Sequence, residues 1–249
     1  MFKPSDIDLY TYAFESIILP ENAVVLDVGC QHAGGLKWIK EKYNLTSECI
    51  GIDKKNKNFE DAETQKALGV SLLEMNASEP LSFADNTFDL IFHKDTLECI
   101  SNISAHISEM YRVMKPGGII LCIHRDWESI IFNGKNKALI NKAIYGYANF
   151  LQAGWMDDCD GWIGRRVWGH FNKTGLFDGT VKIYNSIETD FTETHGGWHY
   201  IHDMKHFLEP KGFLTEAEYA ELIEDMKATY ARGEYLCMLP YYIYVGRKK

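Results

Sequence analysis

Along residues 1–126, short apolar runs alternate with stretches in which apolar side chains return every three or four positions. The runs are AVVLDVG (Ala23–Gly29), ECIGID (Glu48–Asp53), VSLLEMN (Val70–Asn76), FDLIFHK (Phe88–Lys94) and IILCIHRD (Ile119–Asp126). Their shortness and their Val, Ile and Leu content predict strands buried on both faces. Helices are predicted between and before them. Ser5–Leu19 carries Leu9, Tyr12, Ala13 and Ile17 near helical spacing, and Gly34–Asn44 follows the first strand. Phe59–Gly69 ends on a glycine stop, and Ser101–Met114 is amphipathic and closed by KPGG. Strands alternating with helices imply right-handed crossovers and a parallel, doubly wound sheet, hence an α/β fold. Ligands of such sheets lie beyond the carboxyl ends of the strands, so the residues just after each strand carry the interest.

After Asp126 the rhythm breaks. Trp127–Phe171 holds helical pieces and a Trp- and Gly-rich DGWIGRR stretch (Asp160–Arg166). Regular structure resumes with a strand over Val181–Phe191 and helices over Tyr200–Leu208 and Thr215–Tyr230. A last strand lies within Leu236–Lys248, as an antiparallel partner of the Val181–Phe191 strand. With no repeat, low-complexity tract or linker, residues 1–249 read as one domain. Residues 1–22 form an N-terminal helical cover, and residues 127–180 are an inserted segment covering the substrate.

Composition narrows the function. Of 249 residues, 46% are hydrophobic and 24% charged, which suits a packed core rather than disorder. A formal charge of −9 repels phosphate backbones, so nucleic acid is not the expected partner. The six cysteines are dispersed without a CxxC pair, as in reduced thiols of a cytoplasmic protein. The first ten residues are polar and acidic, so no secretory leader is expected. No apolar run reaches the roughly 18 residues of a membrane span.

The first strand–loop–helix junction is VLDVGCQHAGG (Val25–Gly35). Glycine there lets backbone approach a ligand, and a helix N-terminus favours negative charge. Asp53 ends the second strand, where a carboxylate accepts both hydroxyls of a ribose. A plain turn with a solvated aspartate is the competing reading. The segment Gly29 to Gly34 lacks the middle glycine that a pyrophosphate needs, which argues against a nicotinamide-dependent oxidoreductase.

VLDVGC, GID, NASEPLSFADNTFDLIF, LECI and VMKPGGIIL, in that order over Ala23–Asp126, resemble the class I S-adenosylmethionine-dependent methyltransferases. Within that family the resemblance is to the group related to the ubiquinone and menaquinone biosynthesis enzymes, which implies a Rossmann-like, mostly parallel seven-stranded sheet with an antiparallel last strand. A looser likeness to one subgroup extends over the later residues. The family implies S-adenosylmethionine as cofactor and methyl transfer to a small-molecule acceptor. By the same resemblance, Asp27, Gly29, Cys30 and Gln31 line the methionine part, and Asp53 binds the ribose with Lys54 beside the adenine. Asn76 and Ala77 meet the adenine edge, with Asn standing where the family usually has Asp. His93 lies near the sulfonium. Gln31 and Ala33 stand where the family's loop has glycine, and Cys99 where a His often follows Leu-Glu. A side chain at Gln31 narrows the cradle and either contacts the cofactor carboxylate or shifts its pose.

Methyl transfer needs an aligned nucleophile and exclusion of water; a hydroxyl acceptor is helped by a base, commonly histidine. His124 and Asp126 are the substrate-side candidates and His93 the cofactor-side one, each with a structural role as the alternative. Trp155, Trp162 and Trp168 are candidates for an apolar pocket, and Arg165 or Arg166 for holding an acidic group, against the reading that aromatics simply pack a core. Tyr10, Tyr12 and Phe14 place an aromatic face on the N-terminal helix, which closes over the cofactor in related enzymes. His195, His199, His202 and His206, with Asp203 near them, have partial metal-like spacing. No Cys or Glu completes a ligand pattern, and no metal is expected. Three alternatives stay open: a chain that binds the cofactor and catalyses other chemistry or none, an oxidoreductase using NAD, and a methyltransferase acting on a protein or transfer RNA, which the net charge disfavours. The identity of the acceptor and the oligomeric state, a homodimer among the options, are not encoded legibly.

Overall fold

In a computed structural model, the described residues are 4–55, 57, 59–152 and 156–249. The chain divides into two compact units and passes between them repeatedly. The first comprises Met1–His124, Arg166–Tyr184 and Tyr242–Lys249; the second comprises Arg125–Arg165 and Asn185–Tyr241. The segment 127–180 is thus shared: its part up to Arg165 belongs to the second unit and the rest to the first.

The first unit opens with α1 (Pro4–Ala13), then β1 (Val25–Val28), α2 (Gly34–Tyr43), β2 (Cys49–Asp53), α3 (Ala62–Leu68) and β3 (Val70–Glu74). It continues through β4 (Phe88–Lys94), α4 (Ile103–Val113) and β5 (Met114–Arg125). The Val- and Ile-rich strands pair in parallel, with β1 between β2 and β4: Asp27 stands opposite Gly51 on one side and Phe92 on the other. The order β3-β2-β1-β4-β5 places the reversal of strand order at β1, and β1 is buried along its whole length. Side chains cap two of the helices. Asp61 accepts from Thr64 N ahead of α3, and Asn102 accepts from Ala105 N ahead of α4. Helix α4 turns His106, Ile107, Met110 and Val113 inward, at the spacing of one helix face.

Strand β5 begins at Met114, five residues before the predicted start, because KPGG joins the ladder through an irregularity between Phe88 and Leu90 rather than stopping it. Helix α1 ends at Ala13, short of the predicted Leu19: the backbone turns at Phe14, whose buried ring packs on Trp38 and Phe92. Strands β7 (Phe177–Glu188) and β8 (Cys237–Lys248) pair with each other. The Lys249 amide donates to Leu176 O, which sets them antiparallel, as the last strand was expected to be.

In the second unit, β6 (Ile131–Phe132) pairs antiparallel with the start of β8, giving eight strands among the described residues where seven were expected. Its helices are α5 (Lys137–Phe150), α7 (Gly196–Leu208) and α8 (Glu216–Ala231), with α6 (Ile163–Thr174) starting here and running on into the first unit. Trp127, Ile140, Tyr147, Met204, Leu222 and Met226 form the heart of its own apolar core. A capping box at Thr215 and Glu218 starts α8. Among the described residues, no helix is long and apolar enough to cross a membrane.

Candidate cofactor site

The turn after β1 is fixed from behind. The Gly29 and Cys30 amides both donate to Ile52 O at the end of β2, at 2.8 and 3.1 Å. Gly29 has φ +81°, and a Cβ on it would stand 2.3 Å from Thr96 Oγ1, so only glycine fits. Thr96 in turn donates to Val28 O at 2.8 Å. Two further positions of the turn take left-handed backbone without being glycine: Gln31 at φ 44° and Ala33 at φ 56°. Each costs on the order of 1 kcal/mol. The loop therefore keeps a glycine-type path although two of its residues disfavour it.

Asp53 and Gln31 meet across this turn. Asp53 Oδ2 accepts from the Gln31 amide at 3.1 Å, and Oδ1 accepts from the Lys55 amide at 3.3 Å. A carboxylate has about four acceptor positions, so Asp53 retains capacity for a diol while its orientation is set. Lys54 is exposed beside it. The next turn is tied on: the Met75 amide donates to Asp53 O at 2.8 Å, and Ser78 N donates to Asn76 Oδ1 at 3.0 Å. The Asn76 carbonyl oxygen expected to meet adenine is thus engaged inside its own turn, while Nδ2 reaches Glu79 at 3.4 Å.

Asp27 lies deeper, with 4% of its surface exposed. Burial first, then the neighbouring Asp53 charge, raises its carboxyl to about 7, with Lys94 opposing. A Cβ on Gly35 would stand 2.7 Å from Tyr10 Oη and 3.4 Å from Asp27 Oδ2, so a glycine lets those two groups converge. Tyr10 is buried, with Trp38 and Phe92 rings against it, and its phenol is pushed well up by burial and by Asp27. The Cys30 thiol is also pushed up, chiefly by burial, and is no nucleophile.

Three sequence candidates are placed differently from expectation. His93 has no exposed surface: Nε2 is 2.8 Å from His106 Nε2, and Nδ1 is 3.6 Å from Cys122 Sγ. Both ring nitrogens are thus engaged in the core, and neither is left for a methyl acceptor. Asp126 is equally buried in the second unit. It accepts from Arg165 Nε at 2.6 Å, Arg165 Nη2 at 2.5 Å, Arg165 N at 3.2 Å and Ser129 Oγ at 2.9 Å. Carboxylate and guanidinium satisfy each other, which removes Asp126 as a ready base and turns Arg165 to structural use. Trp162 stacks under that guanidinium, 4.5 Å from its ring centre. His124 is fully buried on β5. Trp162 and Trp168 belong to different units, and Trp155 lies outside the described residues.

The histidine run of α7 is spent locally. His202 donates from Nδ1 to Trp198 O at 2.7 Å and stacks on its ring, and His195 Nδ1 lies 3.0 Å from Thr192 Oγ1. Among the described residues no group of three or more His, Cys, Asp or Glu is set to hold a metal. Sequence reading missed Thr96 and His106. Thr96 lies far from Gly29 in sequence and gives no signal. His106 was legible as a polar residue on the apolar face of α4.

Residues 26–122 match the methyltransferase domain family. The chain is similar to the ubiquinone biosynthesis O-methyltransferase of Mesorhizobium japonicum, 29% identical over 102 residues, covering 40% of each chain. It is also similar to the demethylmenaquinone methyltransferase of Bacillus licheniformis, 31% identical over 107 residues, covering 42% of this chain and 46% of that one. The chain spans less than half the length of these curated relatives. Its fold matches that of a candidate methyltransferase from Bacillus halodurans with a TM-score of 0.62 at 14% identity, covering 96% of this chain and 97% of that one.

Proposed function

We propose, on the premise that residues 26–122 form a class I S-adenosylmethionine-dependent methyltransferase domain, that the chain methylates a small molecule. The observation that carries this is the pair of strand-end carboxylates around a left-handed turn. Asp53 is oriented by the Gln31 amide and keeps acceptor capacity for a ribose. Asp27 is a buried carboxyl whose charge a bound cation would favour. Such a donor set fits S-adenosylmethionine: ribose hydroxyls at Asp53, adenine beside Lys54 and the Asn76–Ala77 turn, and the methionine part along Asp27, Gly29, Cys30 and Gln31. When bound, the cofactor supplies a methyl group already activated by its sulfonium.

The chain's own part is then to orient and to exclude water. Thr96 and Ile52 O hold the turn, and Tyr10 closes the buried side of Asp27. An acceptor would receive the methyl group if these residues hold it aligned with the cofactor and away from water. His93 and Asp126 supply no base in this reading, because their polar atoms are engaged. His124, fully buried on β5, is assigned no role as a base either. Six free thiols support work in the cytoplasm.

Calorimetry with S-adenosylmethionine, S-adenosylhomocysteine and NAD, followed by transfer of labelled methyl to quinol and other small-molecule acceptors, tests the proposal. Binding of both sulfur nucleosides and label in an acceptor are expected. Stabilisation by NAD alone would overturn the cofactor; tight binding with no label in any acceptor would overturn the transfer.

A further inference from the structure

Behind the Asn76–Ala77 turn runs a buried chain of hydrogen bonds. His106 Nδ1 lies 2.8 Å from Ala77 O, His106 Nε2 lies 2.8 Å from His93 Nε2, and His93 Nδ1 lies 3.6 Å from Cys122 Sγ. His93 and Cys122 are 0% exposed and His106 3%.

The partners dictate where every proton sits. A carbonyl only accepts, so His106 donates from Nδ1. A neutral imidazole has one donor, so His106 Nε2 is bare and His93 donates to it from Nε2. His93 Nδ1 is then the acceptor, and the Cys122 S–H donates to it. A second proton on His106 would set two N–H groups against each other, and one on His93 would meet the Cys122 S–H, in a core that already disfavours charge. In keeping with this, burial lowers the His106 ring to about 4 and, with the neighbouring His106 and His124, holds His93 well below its ordinary value. Glu109 and the Ala77 carbonyl oppose that shift at His106.

The turn that His106 holds is the one tied to Asp53 through the Met75 amide. It is therefore mounted at two points, one on the ribose-side carboxylate strand and one on α4. We propose that His106, with its tautomer set by His93 and Cys122, is a positioning residue that fixes the Asn76–Ala77 turn for the adenine end of a nucleoside cofactor. This rests on the cofactor reading above. It assigns the two histidines to binding rather than to proton transfer with the acceptor.

Amide replacements separate positioning from mere packing. An Asn amide nitrogen falls near the place of Nδ1, and a Gln amide nitrogen near that of Nε2. His106→Asn keeps the donor to Ala77 and loses the bond to His93; His106→Gln does the reverse. His93→Gln keeps the donor to His106, and His93→Leu removes it. The readouts are the Kd for S-adenosylhomocysteine by calorimetry and the melting temperature. All four variants are expected to melt earlier than the parent. Kd should stay within about twofold in His106→Asn and His93→Gln, and rise about tenfold in His106→Gln and His93→Leu, the loss of one hydrogen bond's worth of positioning. Equal Kd values within the His106 pair, or within the His93 pair should one His106 variant not fold, would overturn the positioning role while leaving the cofactor reading intact. No binding by the parent protein would instead remove the cofactor reading, and this proposal with it.

Discussion

Asp27 and Asp126 are both buried near the ends of parallel strands, one in each unit, and the chain surrounds them in opposite ways. Asp126 is met by Nε and Nη2 of one arginine, that residue's own amide and a serine hydroxyl. Asp27 has a tyrosine, a second carboxylate and the opposing charge of Lys94 around it, and burial with the Asp53 charge raises it to about 7. Burial alone therefore does not say what a carboxylate is for. A carboxylate whose charge is fully answered inside the fold is architecture, whereas one whose charge is left expensive gives the energy back when a cation arrives. In the proposed site Asp27 has the second use, and the first expected difference between the two sites is what happens when each is broken.

The largest effect should come from Arg165→Ala. It leaves the buried Asp126 without its counter-ion; since the arginine side chain is 36% exposed, water reaches the vacated place and the cost should be about 3 kcal/mol, the lower end for a fully buried pair. Denaturant unfolding checks it. Replacing both partners together, Asp126→Leu with Arg165→Met, should cost less than Arg165→Ala alone, since no charge is stranded. Asp27→Asn should do the opposite near pH 8, where wild-type Asp27 bears its unfavourable charge: the variant should melt at the same temperature or higher. A large loss of stability in Asp27→Asn would erase the contrast between the sites.

Next in size is the pH dependence of cofactor binding. A cation favours ionised Asp27, so below about 7 binding must first expel a proton. S-adenosylmethionine should bind about tenfold more weakly one unit below that value, and Asp27→Asn should bind weakly with a nearly flat profile. Calorimetry in buffers of different ionisation enthalpy would count the released proton directly. A flat profile in the wild type would mean that Asp27 does not face the cationic part.

Stability should show two opposed titrations. His106 is lowered from 6.5 to about 4, so its contribution is present above the unfolded value and is lost as pH falls through that interval. Asp27 is raised from 3.8 to about 7, so its contribution is present at low pH and is lost as pH rises through much the same interval. His93, lowered likewise, adds to the His106 side, so the wild type should gain stability with pH there, less steeply than the two histidines alone would give. Asp27→Asn removes one side and should make stability rise more steeply with pH, by several degrees of melting temperature in a chain of this size. An unchanged profile in the variant would show that the two sides do not oppose each other.

The comparison also explains what could be read from sequence. The parallel sheet was legible because each strand is a short run of Val, Ile and Leu closed by polar residues, and local composition decides that. Asp27, Gly29 and Asp53 were legible as members of the proposed site because strand ends are where such sheets bind ligands. The fate of Asp126 was not: Arg165 lies 39 positions on, and only the fold brings its guanidinium round to that carboxylate. His93 misled for the same reason, since its partners His106 and Cys122 come from another helix and another strand. A strand-end residue looks alike from sequence whether it faces a ligand or a neighbour; the distant partner decides.

The smallest effect belongs to the turn itself. Gln31 and Ala33 hold φ 44° and 56°, where a Cβ meets backbone, so glycine should relieve them. The relief is about 1 kcal/mol for each, less the added freedom glycine gives the unfolded chain, leaving a small gain or none in stability. Binding discriminates more sharply. Gln31 reaches Asp53 through its amide, which Gln31→Gly keeps, so the ribose side should be undisturbed and the Kd for S-adenosylhomocysteine should hold within about twofold. A loss of affinity with unchanged stability would instead show the Gln31 side chain touching the cofactor. It would then be a recognition residue in its own right, and the strain of its backbone the cost of placing it there.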